Sequence, residues 1–377
     1  MSVVTRPGKR RAPVRKSRTL GRTLLVGLTS VVMVLGLAGT YFYRELSGNL
    51  HVVDLSGQIV GQRPSAIDDG PSGPINILVM GSDTRDCDGC DIDGLTGGGA
   101  RSDTTILIHL SADRSRAYGI SIPRDSIVDR PACKAPDGSI VPAATGQMWN
   151  AAYSVGGPAC TIAQVEHTTG IRIDHYVVLD FSGFKAMVDA IGGVEVCIPQ
   201  TWDDRAHGIY LPAGTRTISG KQALAYVRVR HGVGDGSDLG RVKRQQAFIG
   251  SMAQAVLSSG TLSNPVKIVR FLDAATKSLT LDPGLGDLRK LGGLAYQFRN
   301  IGMSRIKLIT VPWMYDPSDP NRVVWTSQAP EVWDAIRYDR PIGKALLSDS
   351  INVGNLPGKA AKHRDKDALE QAGLCSA

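Results

Sequence analysis

Three short runs decide the fold: INILVMGSDTR at 75–85, ARSDTTILIHL at 100–110 and RAYGISIPRD at 116–125. Within them, Ile75–Met80, Thr104–Leu110 and Ala117–Ile122 are apolar, of strand length and rich in β-branched residues, which predicts neighbouring strands of one buried sheet. Each run carries its charges at an end. Asp83 and Arg85 follow the first, Arg101 and Asp103 precede the second, and Arg124 and Asp125 follow the third. If the first and third strands run opposite to the second, all six charges collect at one edge of the sheet. Two carboxylates beside several arginines suit a divalent metal held by oxygens, together with a multiply charged anion, most simply a pyrophosphate, gripped by guanidinium forks. Any one pair also fits a solvated strand-end salt bridge of little energetic weight. Three pairs at three strand ends favour a site.

Downstream, strands and helices alternate. Residues 126–147 are rich in Pro and Gly and read as a loop over or beside the site. Trp149–Val155 and Thr161–Thr169 read as two short helices separated by Gly156, Gly157 and Pro158. HYVVLD at 175–180 is a strand, FSGFKAMVDAI at 181–191 an amphipathic helix with Phe184, Met187, Val188 and Ile191 on one face, and VEVCI at 194–198 a further strand. This alternation predicts an α/β domain over 75–340, three layers (α-β-α) with a central mixed sheet covered on both faces. The stretch from 262 to 340 supplies packing helices and the strand RIKLITVPW, and 341–377 reads as a loose polar tail.

A second charged cluster lies between 219 and 246. Ser219 is placed to cap a helix running to about Val229, closed by Arg228 and Arg230; after a Gly/Asp loop, Asp238 is placed to cap a long helix from about Leu239 to Ser258. Arg241, Lys243, Arg244 and Gln245 occupy its first two turns. Cations there oppose the helix macrodipole, a placement that makes sense if the helix start faces a phosphate that its free N–H groups also contact. Arg241 and Gln245, one turn apart on one face, read as site residues, and Lys243 and Arg244 as an ordinary solvated basic face.

Residues 1–23 hold eight Lys or Arg and no acid, so residues 24–377 carry equal numbers of basic and acidic side chains and the folded part is neutral. The basic balance therefore records a tail and gives no reason to expect a nucleic-acid partner. LLVGLTSVVMVLGLAGTYFY at 24–43 is uncharged and about as long as the ~20 residues a bilayer-spanning helix needs. The basic flank predicts a cytoplasmic N-terminus, with residues 44–74 as an extracellular stalk carrying at most a short strand near Gln58–Val60. A cleaved signal peptide is the competing reading, disfavoured by the length of the run.

All six cysteines follow the apolar run, which suggests disulfides in an exported domain. Cys87 with Cys90 would close a tight loop, Cys133 with Cys160 would pin the segment between them, and Cys197 with Cys375 would remain; other connectivities stay open. A zinc site at CDGC lacks a second pair at ligand spacing.

Together GSDTR, ARSDTTIL, SIPRD, NAAYSVGGPACT, DHYVVLDFSGFKAMVDAIGGVEV, SGKQALAYVRVRH and GDGSDLGRVKRQQAFI resemble, in this order over roughly 75–255, the LytR-CpsA-Psr family of bacterial cell-wall glycopolymer ligases. The resemblance implies a magnesium-dependent phosphotransferase. It would move a glycopolymer from a polyprenyl-pyrophosphate carrier onto a peptidoglycan hydroxyl and release polyprenyl phosphate. Asp83 and Asp103 then match the metal-associated acids. Arg101, Arg124, Arg228, Arg230 and Arg241 match the arginines around the pyrophosphate, with Gln245 one helical turn on and Arg85 beside them. A non-catalytic polyprenyl-phosphate receptor and a membrane-bound transcriptional attenuator are the rival functions. The attenuator would have to work through a cytoplasmic part of about 23 residues with no core.

Overall fold

The computed structural model describes residues 18–67, 73–82, 102–205, 209–229, 233–356, 369 and 374–375, in two compact units, Met1–Gly48 and Asn49–Ala377. The first unit contains helix α1, Arg18–Gly48. Its stretch Gly21–Gly48, with a mean hydropathy of 2.0, is long and apolar enough to cross a membrane. Leu24, Val31, Met33 and Leu35 on it are exposed.

The second unit is built on one eight-stranded sheet: β1 His51–Val52, β2 Ile75–Ser82, β3 Ser102–Leu110, β4 Ala117–Ile122, β5 His175–Asp180, β6 Leu279–Leu281, β7 Ile306–Thr310 and β8 Ile351–Asn352, in the order β1-β6-β5-β2-β3-β4-β7-β8. β3 is antiparallel to both β2 and β4, while β5 runs parallel to β2 and β7 parallel to β4. The sheet is therefore mixed, as expected. It departs from the sequence reading at both margins. The strand ahead of Ile75 lies at His51–Val52 rather than near Gln58, and the tail beyond 340 supplies β8 and buries Ile342, Ile351, Val353 and Leu356. Those are among the apolar residues of an otherwise polar stretch. Residues 49–67 also pack on this unit: Leu55 is buried in the main core, and Arg63 pairs with the buried Glu166 at 2.5 Å.

Alternation along the strands gives the sheet two apolar faces. Leu78, Met80, Leu107, Ile120, Tyr176 and Val178 point to one, where α2 (Ala151–Thr169) and α8 (Ala329–Arg337) cover them with Ile162, Val165, Val332 and Ile336. α2 is broken where expected, at Gly156 and at Gly157, whose φ of +64° suits glycine. Cys160, just past the break, is bonded to Cys133. The 126–147 segment, read as a loop, folds into two small antiparallel pairs, Ile127–Arg130 with Ala144–Met148 and Cys133–Lys134 with Ile140–Val141.

On the opposite face lie α3 (Phe181–Ala190), α4 (Gly220–Arg228), α5 (Asp238–Leu257), α6 (Pro265–Ser278) and α7 (Leu288–Ile301). Ile77, Leu110 and Ala117 meet Ile301 of α7 there, with Leu294 and Phe298 packed alongside. α3 and α6 approach so closely that a Cβ on Gly183 would fall 1.7 Å from Ser278 Cβ, which fixes glycine at that crossing. VEVCI is a strand but stands outside the main sheet, paired with Gly214–Ile218 over a second core of Val188, Trp202, Tyr226 and Phe248. Cys197 on it is bonded to Cys375.

Candidate functional site

Register explains how the charges gather. Ser82 at the end of β2 pairs with Ser102 at the start of β3 and with Asp180 at the end of β5; Thr105 pairs with Ile122 at the end of β4, and Ser121 with Thr310 at the end of β7. The C-terminal ends of four strands and the N-terminal end of β3 thus share one edge, the arrangement the charge placement required. The β2–β3 ladder slips between Gly81 and Ser82, which leaves Asp103 as the extra residue of a bulge. Bulges commonly re-aim a strand beside a site.

Pro123 ends β4, and a turn closed by Ser126 N–H donating to the Pro123 carbonyl (3.1 Å) presents Arg124 and Asp125. The start of α2 holds that turn. Asn150 N–H donates to the Arg124 carbonyl (3.2 Å) and Trp149 N–H to the Ser126 carbonyl (2.8 Å), while Trp149 Nε1 donates to Thr105 Oγ1 (3.1 Å). Trp149 is fully buried in the main core and anchors the corner there.

α5 brings the second cluster to the same edge. Its residue Gln246 is buried and donates to Ser121 Oγ (3.0 Å) and Thr310 Oγ1 (3.1 Å), which seats the first turns over the ends of β4 and β7. The N-cap is Ser237, whose hydroxyl accepts from Gly240 N–H (2.9 Å), and not Asp238. Asp238, the first helical residue, is released from capping. Its Oδ1 lies 3.1 Å from Arg124 Nε and 2.5 Å from Arg241 Nη2, and it joins the two arginines across separate elements. Arg241 is only 4% exposed. Asp125 Oδ2 stands 3.6 Å from Arg124 Nε. Burial, and then the negative charge of Asp238, raise the Asp125 carboxyl above its ordinary range against the pull of Arg124, Arg322 and Arg241.

Arg228, in the last turn of α4, stacks its guanidinium 4.8 Å from the ring centre of Phe181. Phe181 opens α3 directly after Asp180, so Arg228 stands at the same edge. Gln245 donates its amide to the Val227 carbonyl (3.1 Å) and ties the end of α4 to α5. Lys243 and Arg244 are not a solvated face. Lys243 is buried and bonded to Asp349, and Arg244 is fully buried, donating to the Val229 carbonyl with its guanidinium 5.6 Å from the Trp202 ring. Burial brings the Arg244 pKa down to about 10, partly offset by Tyr226. The first turns of the helix are wedged between two cores and bury both cations, a feature that the local charge pattern hides.

Asp83, Arg85, Arg101 and Arg230 lie outside the described residues, as do the side chain of Asp103 and the pair Cys87 and Cys90. Among the described residues, no group of three or more His, Cys, Asp or Glu is placed to hold a metal ion. Of the described carboxylates at this edge, Asp125 and Asp238 are engaged by arginine, and Asp180 caps α3, accepting from Gly183 N–H (2.6 Å). That edge is thus an assembly of cations held by two acids, suited to an oxyanion. Behind it, on the α3–α7 face, Val79, Ile108, Val177 and Leu179 stay partly accessible although they sit in the middle of the sheet. Met252, Ala255, Val256 and Phe271 on the covering helices are likewise only partly buried.

The sequence profile of the LytR_cpsA_psr family matches residues 43–335. The chain belongs to the LytR_cpsA_psr family. It is 33% identical over 264 residues to the cell wall biosynthesis protein LcpA of Corynebacterium glutamicum, covering 64% of this chain and 50% of LcpA, so it spans half the length of that relative. It is 29% identical over 302 residues to the polyisoprenyl-teichoic acid–peptidoglycan teichoic acid transferase TagV of Bacillus subtilis, covering 78% of this chain and 70% of TagV. The crystal structure of B. subtilis TagV superposes with a TM-score of 0.53 at 28% identity, covering 72% of this chain and all of that chain. The α/β fold of this LytR_cpsA_psr member is thus that of solved members.

Proposed function

We propose that this protein is a membrane-anchored phosphotransferase that moves a glycopolymer from a polyprenyl-pyrophosphate carrier onto a peptidoglycan hydroxyl and leaves polyprenyl phosphate. The observation that carries the reading is the joining of Arg124 and Arg241 through Asp238 at the strand-end edge, with Arg228 beside it. The name of TagV, a transferase acting from a polyisoprenyl-linked polymer to peptidoglycan, supports the same chemistry. So does the accessible apolar face behind the edge, which offers a hydrocarbon chain a place to lie. α1 serves as the anchor, with its basic flank inside the cell and the sheet domain outside.

In this reading the acceptor hydroxyl attacks the phosphorus that bears the glycan. A new P–O bond forms to the acceptor oxygen, the P–O bond to the lipid phosphate breaks, the lipid phosphate departs in line, and the acceptor's hydroxyl proton is released to solvent or to the departing phosphate. Arg124, Arg228 and Arg241 hold the pyrophosphate oxygens and stabilise the charge that develops on them, joined by Arg85, Arg101 and Arg230. Asp83 and Asp103 are hard oxygen donors of the kind magnesium takes, and the Ser82–Ser102 pairing sets their two strand ends side by side. When bound, magnesium would supply further neutralisation of the phosphate oxygens.

The test is to supply the full chain in detergent with a synthetic polyprenyl-pyrophosphate glycan, peptidoglycan and magnesium. Release of polyprenyl phosphate with attachment of glycan to the wall supports the reading, and saturable binding without either product favours a receptor. Chelation with EDTA, followed by restoration with magnesium but not sodium, tests the metal.

A further inference from the structure

Helices α6 and α7 are unlike the rest of the fold. α6 buries only Thr276 and Ser278, and α7 only Ile301. α7 reads LRKLGGLAYQFRNI, with three cations and no acid. Leu294, Phe298 and Ile301 face the sheet. Arg289, Gly293, Tyr296 and Arg299, spaced three or four apart, form the opposite stripe and are all exposed, Tyr296 at 62%. An aromatic ring between cations on the outer stripe of an amphipathic helix is the composition of a helix that lies at a lipid headgroup surface.

Chain continuity says which surface is within reach. The domain begins at Asn49, the residue after α1, and Asn49 Nδ2 donates to Asp273 Oδ1 of α6 (3.0 Å). Three residues on, Val52 lies against the turn that opens α7, where a Cβ on Gly286 would come within 2.8 Å of Val52 Cγ2. Four residues of extended chain reach at most ~14 Å. Val52 and Val53 are themselves exposed, at 43% and 41%. The start of α7, with Arg289 and Lys290, therefore lies close to the first residues of the domain, Asn49–Val52.

We propose that the outer stripe of α7, with Lys290 beside it, docks on the anionic phospholipid headgroups of the membrane that α1 crosses. This rests on α1 being an anchor. The contact sets the domain's tilt on the bilayer and turns the α3–α7 face, with its accessible apolar residues, toward the source of the lipid-linked substrate. Attraction between the cations and anionic lipid acts within about a Debye length, ~8 Å at physiological salt.

The experiment places the full chain in nanodiscs of phosphatidylcholine alone or mixed with phosphatidylglycerol and follows amide hydrogen exchange over 288–300. The docking account expects severalfold slower exchange in the phosphatidylglycerol discs. It expects that difference to vanish in the Arg289→Glu/Lys290→Glu/Arg299→Glu variant, and in the unaltered chain when salt rises from ~0.1 M to ~0.5 M. Equal exchange in both lipids with the chain incorporated overturns the docking while the anchor stands. Failure to incorporate into either disc overturns the anchor and the docking together. The salt series reads the contact even if the triple variant does not fold.

Discussion

Asp238 Oδ1 lies 3.1 Å from Arg124 Nε, linking the first residue of a helix to the turn after a strand 114 positions earlier in the chain, and it also receives Arg241. Two guanidinium groups that would repel one another are thereby held side by side before any substrate arrives. Such preorganisation is what electrostatic catalysis requires.

Replacing Asp238 with Ala should therefore leave the fold in place and slow transfer by ~10²-fold, the cost of letting the reacting groups drift by about an ångström. Steady-state transfer rates alongside a thermal melt check it. Full activity in a folded Asp238→Ala protein would mean that the arginines need no such bridge.

The Arg124→Ala variant should lose ~10²–10³ in rate, since one contact to developing charge is removed. Its melting temperature should stay within a few degrees of the parent, because the side chain stands at a polar edge and its backbone is fixed by Asn150 and not by the guanidinium. Unfolding of this variant would assign Arg124 to the scaffold.

Arg244 is expected to behave in the opposite way. It is fully buried and donates to the Val229 carbonyl, so Arg244→Ala leaves both a cavity and the Val229 carbonyl without that donor. A loss on the order of 3 kcal/mol is expected, read by urea denaturation. Activity should fall only as far as the folded fraction does.

The pair Arg241 and Arg244 shows what the sequence could and could not tell. Strand positions, the shared edge and the helix series were legible because apolar periodicity and strand-end charges are local signals. The helix-dipole argument singled out Arg241, and the structure places it beside Asp238 at that edge. Arg244 was misread because its burial depends on Trp202 and Tyr226, which reach it only through tertiary packing. Asp238 was read as a cap because Asp commonly caps. Its partner Arg124 lies too far away in sequence for any pattern to connect them. The register also set Asp103 in a bulge, which nothing in ARSDTTIL announces.

Asp125 supplies a pH dependence. Its carboxyl is raised above the ordinary value of 3.8 by burial and by Asp238. A raised acid holds its proton more tightly in the folded state than in the unfolded one. It therefore costs no stability below the ordinary value and destabilises progressively as pH rises through the folded value. Asp125→Asn should be at least as stable as the parent at neutral pH, with the difference shrinking toward pH ~3.5. Melts across that range check it, and a variant less stable only at high pH would reverse the sign.

The central claim is that the phosphorus bearing the glycan changes partner while the lipid keeps its own phosphate. The most direct measurement uses two preparations of a polyprenyl-pyrophosphate glycan, one radiolabelled at the glycan-side phosphorus and one at the lipid-side phosphorus, each incubated with the full chain, magnesium and peptidoglycan. The account predicts that the glycan-side label appears in the wall and the lipid-side label in polyprenyl phosphate, and that both move ~10²–10³-fold more slowly with Arg124→Ala. Both labels remaining on the intact carrier while it binds, or both leaving together with the lipid, would contradict it.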